Sequence, residues 1–176
     1  LLEHGLLAAC GERLEGIHLI EPSVLALARA EAVLSCYTDF AVPVTLVNRR
    51  LDELQPQDLV CDPNGLNIHV FSNILDVTAI DLGIVAKMVA SAQGKHFVLC
   101  IGPQNGAAYR IEKFCSVFGE QNYFSQINSV RYARTRRTAH PYTCMTRCFE
   151  YNGATIDLNK LALVDERHEA IYNEYD

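Results

Sequence analysis

Four short apolar runs punctuate the chain: IHLI at 17–20, VPVTLV at 42–47, NIHVF at 67–71 and HFVLCI at 96–101. Nothing else in the sequence constrains the fold as much. Each run is too short for a helix of its own and is rich in β-branched residues. IHLI reads as a buried parallel strand, and HFVLCI is the most apolar of the four. The stretches between the runs read as helices or turns. Strands that alternate with helices predict a parallel sheet with helices on its faces.

The intervening segments carry their own signals. Residues 1–15 place Leu2, Leu6, Ala9 and Leu14 at helical spacing, and Gly16 ends that helix. Ser23 is a good N-cap for VLALARAEAVLSCY. Residues 49–66 are polar, with Pro56, Pro63 and the turn dipeptide Asn64-Gly65, and predict one short helical turn. A helix is expected over 80–92, with Asp81 in its first turn and Gly94 beyond its end. Another is expected over 107–118, with Ile111, Phe114, Cys115 and Phe118 on one face. Residues 125–133 and 142–152 predict a long antiparallel hairpin joined by a basic link. The expected fold is therefore α/β: a doubly wound, mostly parallel, Rossmann-like sheet with a C-terminal antiparallel hairpin at one edge. Residues 1–152 form the domain, and 153–176 an acidic tail.

Composition excludes several classes. The chain has 176 residues, 49% of them hydrophobic, and a net charge of −6. This balance fits an ordinary globular protein and excludes collagen, coiled coil and disorder. No apolar run reaches the roughly 18 residues a membrane span needs, so no membrane partner is expected. The mild negative charge gives no global pull toward nucleic acid. The seven Cys show neither a C-x-x-C nor a Cys/His zinc grammar. Cys10, Cys36, Cys100 and Cys115 lie in apolar stretches and read as small hydrophobes. A reducing, cytoplasmic setting is expected, with no metal site. His18 and His69, inside apolar strands, read as satisfied core residues.

The stretch IHLIEPSVLALARAEAVL holds a strand that ends in an acid, with a helix starting two residues later. This resembles the second βα unit of class I S-adenosylmethionine-dependent methyltransferases. In that family the acid takes the cofactor's ribose hydroxyls, so the resemblance assigns that role to Glu21. It places Asn48, after VTLV, near the adenine, and puts Ser72 and Asn73 on the substrate side of the next strand. The family also ends in an antiparallel hairpin, matched by 125–152. The implied activity is methyl transfer from S-adenosylmethionine, a small-molecule cofactor. The chain departs from the family in having no G-x-G loop. In dinucleotide folds the acid follows that loop by about 20 residues, and counting back from Glu21 reaches Leu1. The loop is thus expected upstream, in a longer protein, or the chain is a relative that has lost the site. Cofactor binding is expected only where the loop is present. Ser72-Asn73 is also followed by Ile-Leu rather than the Pro-Pro-aromatic motif of the amino-methylating members, so base methylation is not implied.

Other readings stay open. Glu21 can be a solvated carboxylate at a helix N-terminus, and Ser72 and Asn73 can make local turn bonds. A non-catalytic module that keeps the fold and binds a protein partner is the main alternative. A nicotinamide-dependent enzyme is another, because an acid after the second strand also suits that ribose. Arg134, Arg136 and Arg137, with Arg131 and nearby Tyr132 and Tyr142, form a basic cluster that would suit RNA phosphates. The same arginines can pair with the acidic tail, and nucleic acid is not the expected partner. No catalytic base can be named: G-x-S-x-G and the Walker A loop are both missing.

Overall fold

The computed structural model describes residues 14–36, 42–103, 108–119, 123–124 and 144–161. The chain divides into two compact units, Leu1–Val60 and Cys61–Asp176.

The first unit is built on a βαβ sequence: β1 (Ile17–Ile20), α1 (Val24–Ser35) and β2 (Val44–Val47). The two strands are parallel, in register from Ile17↔Val44 to Ile20↔Val47. The Pro43 carbonyl accepts from the Ile17 amide at 2.9 Å and the Val47 carbonyl from the Glu21 amide at 3.1 Å, so the ladder extends at both ends. Pro43 stands just before the strand, where its missing N–H breaks no bond. Ser23 caps α1 as expected, its hydroxyl accepting from the Ala26 amide at 3.2 Å. The loop after β2 forms two 3-10 turns, Leu51–Glu53 and Pro56–Asp58, where one turn was expected. Leu51 and Leu54 are buried beneath it. Arg49 pairs with Asp58 at 2.8 Å and Arg50 with Asp52 at 2.9 Å, so each turn closes with its own ion pair.

The second unit holds β3 (Leu66–Ser72), α2 (Leu82–Ser91), β4 (Lys95–Pro103), α3 (Tyr109–Val117), β5 (Tyr123–Phe124) and β6 (Cys144–Tyr151). Its sheet has the order β3-β4-β6-β5, with β3 and β4 parallel and the other two pairings antiparallel. Asp81 caps α2, accepting from the Gly83 amide at 2.8 Å and the Ile84 amide at 3.1 Å. The helix then buries Leu82, Val85, Ala86 and Val89, one helical stripe. Gly94 ends the α2–β4 link with φ +104°. A Cβ there would lie 2.4 Å from the Asp62 carbonyl oxygen, so only glycine fits.

One face of this sheet packs beneath α3. Phe114 meets Phe71 edge-on at 5.3 Å and Phe118 at 5.2 Å, and Phe118 reaches Phe149 and Tyr151 at 5.0 and 5.2 Å. On the same face Arg147 of β6 is buried and pairs with Glu112 of α3. The other face is also apolar: Ile68 and Val70 of β3 stand beside Phe97 and Leu99 of β4. Residues 153–161, placed in the tail from sequence, lie against the domain. The Asp157 amide donates to the Val117 carbonyl at 3.0 Å, and a 3-10 turn follows over Leu158–Leu161.

The architecture is α/β, and the four apolar runs are strands that pair in parallel two by two. Their hydrogen bonds make two sheets, β1-β2 and β3-β4-β6-β5, where a single sheet was expected. Eighteen residues of turn and loop stand between β2 and β3, and sequence pattern cannot fix which strand edges meet across such a link. The second strand of the expected hairpin is β6, which pairs antiparallel with β4 and with the two-residue β5 and lies between them rather than at an edge. The predicted strand at 125–133, most of the helix at 1–15 and the tail beyond 161 lie outside the described residues.

Candidate functional site

Parallel register brings Glu21 and Asn48 together. Each follows the last residue of its strand, and Ile20 pairs with Val47, so both residues stand at the carboxyl ends of β1 and β2. The Asn48 side-chain amide donates to the Glu21 carbonyl at 3.1 Å and to the Pro22 carbonyl at 2.8 Å. One Glu21 carboxylate oxygen accepts from the Ser23 amide at 2.9 Å, closing the turn into α1. Its other oxygen takes no hydrogen bond among the described residues. Asn48 is exposed and Glu21 half-buried. The pair offers a fixed carboxylate with spare accepting capacity, the group that vicinal hydroxyls require.

Ser72, the last residue of β3, and Asn73, which follows it, stand at the carboxyl end of that strand in the second unit. Asn73 extends the ladder, its amide donating to the Ile101 carbonyl at 2.8 Å, and then turns with φ +54°. Asparagine tolerates this left-handed conformation better than other side chains. Both residues are exposed. The chain then folds back under Arg110 of α3, whose guanidinium donates to the Leu75 carbonyl at 3.1 Å and the Ile80 carbonyl at 2.5 Å. Asp76 in this segment reads from sequence as a maker of local turn or cap bonds. Its Oδ1 is buried without a hydrogen-bond partner among the described residues, and a Cβ on Gly102 would lie 3.9 Å from it. An acid four residues past a strand looks like an ordinary loop residue, so the sequence suggests only local bonds for it.

A third constellation lies toward the amino ends of β3 and β4, the opposite end of that sheet from Ser72 and Asn73. His69 and His96 are diagonal neighbours on adjacent strands, with His69 opposite Val98 and His96 opposite Asn67. Their rings stack at 5.1 Å, and His69 Nε2 lies 2.9 Å from His96 Nδ1. The donor atoms of Cys61, His69 and His96 all lie within 4.8 Å of one another. Burial, then the neighbouring His96, lowers the His69 pKa to about 4. Burial likewise lowers His96, against a small opposing pull from the Ala92 carbonyl, and it raises the Cys61 thiol. Near neutral pH both imidazoles are therefore neutral. His69 is half-buried rather than core, and it faces a second imidazole and a thiol. The spacing C-x7-H-x26-H matches no ligand grammar, and only the pairing of β3 with β4 assembles it. His18 differs from its expectation: its Nδ1 is buried without a partner among the described residues.

The cysteines divide by environment. Cys100 and Cys115 are fully buried, as expected of small hydrophobes, while Cys36 is exposed at the C-cap of α1. A hydrogen bond with Cys115, then burial, pushes the Cys100 thiol well above its ordinary value. Arg134, Arg136 and Arg137 lie outside the described residues. Among the described residues no helix is long and apolar enough to cross a membrane. Comparison with known proteins finds no family model, no curated relative and no solved structure that matches the chain.

Proposed function

We propose that the chain is a methyltransferase-like domain that receives the nucleoside part of S-adenosylmethionine at the carboxyl ends of β1 and β2. The observation that carries this reading is the placement of Glu21 beside Asn48 by parallel register. Open α/β sheets bind ligands at that end of their strands. The finer architecture proposed with it is the family's doubly wound arrangement of parallel strands, carried here by the parallel pairs β1-β2 and β3-β4 rather than by a single sheet. The apolar character of both faces of β3 and β4 supports it, because such sheets are covered on both sides.

The residues fit the ribose half of the cofactor. Glu21 would accept from the ribose hydroxyls through the carboxylate oxygen that the turn leaves open, and Asn48 would border the base. Among the described residues no glycine-rich backbone fits the methionine half. When bound, the cofactor supplies a methyl group already activated on a sulfonium. The chain's own work is then to hold the ligand in line with an acceptor.

One observation favours the alternative of a non-catalytic interaction module: Glu21 and Asn48 already bond the turn into α1. An NMR titration with adenosine and with S-adenosylhomocysteine separates the two readings. The methyltransferase-like reading expects shifts at the Glu21 and Asn48 amides. It also expects binding weakened about 5- to 150-fold by Glu21→Ala, the equivalent of roughly 1–3 kcal/mol for a ligand losing a charged acceptor. Without a glycine loop S-adenosylhomocysteine should bind no better than adenosine, and spectra unchanged by millimolar adenosine would overturn the reading in favour of the module.

A further inference from the structure

We propose that Cys61, His69 and His96 form a binding site for one first-row divalent cation of the zinc class. The three residues come from separate places: the chain just before β3, the middle of β3 and the start of β4. Their donor atoms nevertheless converge within 4.8 Å. A sulfur and two imidazole nitrogens are the ligands that Zn2+, Co2+ and Cu2+ take, whereas Mg2+ and Ca2+ take oxygen.

The surroundings orient each donor. The Ala92 carbonyl lies 3.2 Å from His96 Nε2. A carbonyl only accepts, so Nε2 carries the hydrogen and Nδ1 carries the lone pair. A backbone carbonyl on the far nitrogen is the usual support of a ligating histidine. His69 Nε2 lies 2.9 Å from that lone pair, so in the metal-free chain a single proton is shared between the two rings. A cation would take this proton's place, the His69 hydrogen moving to its Nδ1 and the Cys61 thiol releasing its own to solvent, so that two neutral imidazoles and a thiolate ligate. Tetrahedral zinc bonds of about 2.0–2.1 Å put two nitrogens roughly 3.3 Å apart, so the rings need to separate by only a few tenths of an ångström.

Cys61 is held from the other side. The Asn67 side chain, on the same sheet face as His69 and His96, accepts from the Asp62 amide at 2.9 Å. It also donates to the Asp62 carbonyl at 2.9 Å. Both peptide groups of the residue after Cys61 are thereby fixed, and the close approach at Gly94 packs this segment against the α2–β4 link. Three protein ligands leave a fourth position for water or another small ligand. The site lies at the opposite end of the sheet from Ser72 and Asn73, so it stands or falls independently of the nucleoside proposal.

Cobalt titration of the full chain, after stripping with a chelator, tests the proposal. One equivalent of Co2+ should give the thiolate-to-metal charge-transfer band and the visible bands of a tetrahedral centre, and Zn2+ should displace it. Cys61→Ser should abolish the charge-transfer band, and His69→Gln or His96→Gln should weaken binding at least tenfold. Cys36→Ser, which alters the exposed thiol on α1, should change nothing. Circular dichroism in chelator checks that each variant folds. If Cys61→Ser does not fold, the unaltered chain still decides: Zn2+ should slow alkylation of Cys61, mapped by peptide mass, and leave Cys36 unaffected. No charge-transfer band, a band that survives Cys61→Ser in a folded chain, or Cys61 alkylation indifferent to Zn2+ would each overturn the site.

Discussion

His69 shows how far a single residue's neighbours control its chemistry. Inside an apolar run it reads as core; in the structure it is half-buried, and its ring is held neutral by desolvation and by His96. The consequence for stability has a definite sign. A histidine whose pKa falls on folding disfavours the proton in the folded chain. Its contribution is complete above the unfolded value of about 6.5 and is lost as the pH falls toward 4. Stripped of metal, the chain should therefore need less urea to unfold at pH 4.5 than at pH 7. His69 accounts for at most about 3 kcal/mol of that difference, at roughly 1.4 kcal/mol per pKa unit. His69→Phe should flatten the dependence; an equal slope in that variant would assign it to other groups. Glu21 makes the complementary point. Its position after an apolar run was visible in the sequence, but its use of one oxygen to close a turn was not, because that bond depends on where the Ser23 amide lies.

Among the elements, the strands and helices were the most legible part of the chain. Period and capping residues are local signals, and Ser23, Asp81 and the stripe on α3 all behave as their spacing predicts. The packing of α3 gives the sharpest test. Phe114 is fully buried and bridges Phe71 and Phe118. Phe114→Ala should destabilise the chain by about 3–5 kcal/mol, the range for emptying a buried aromatic site, as read from the shift in urea midpoint. A loss under 1 kcal/mol would mean that α3 does not anchor this core. The same helix carries Arg110 and Glu112, whose partners are a loop carbonyl pair and Arg147 of β6. These partners are 30 or more residues away in sequence, so periodicity gave no hint of them.

For the whole molecule, the division at Val60 predicts unequal independence. Among the described residues of the first unit only Leu27, Leu51 and Leu54 are buried, around two strands of four residues each. The second unit holds the rest of the buried core and four of the six strands. Small two-stranded units are marginal by themselves. Residues 61–176 expressed alone should melt cooperatively by circular dichroism, and residues 1–60 alone should not. A cooperative transition in the shorter piece would show that its core is more complete than these three leucines. Among the described residues, the sequence by itself determined the α/β class, the places of the main strands and helices to within a few residues, and the residues that stand at the ends of β1 and β2. It could do so because hydrophobic period, N-caps and glycine stops act within a few neighbouring residues. Tertiary structure alone decided that the parallel strands pair two by two in two sheets and that β6 enters between β4 and β5. It alone set Cys61, His69 and His96 face to face. Those outcomes depend on which strand edges exchange hydrogen bonds and in what register, and edge pairing leaves no mark in the spacing of residues along one chain.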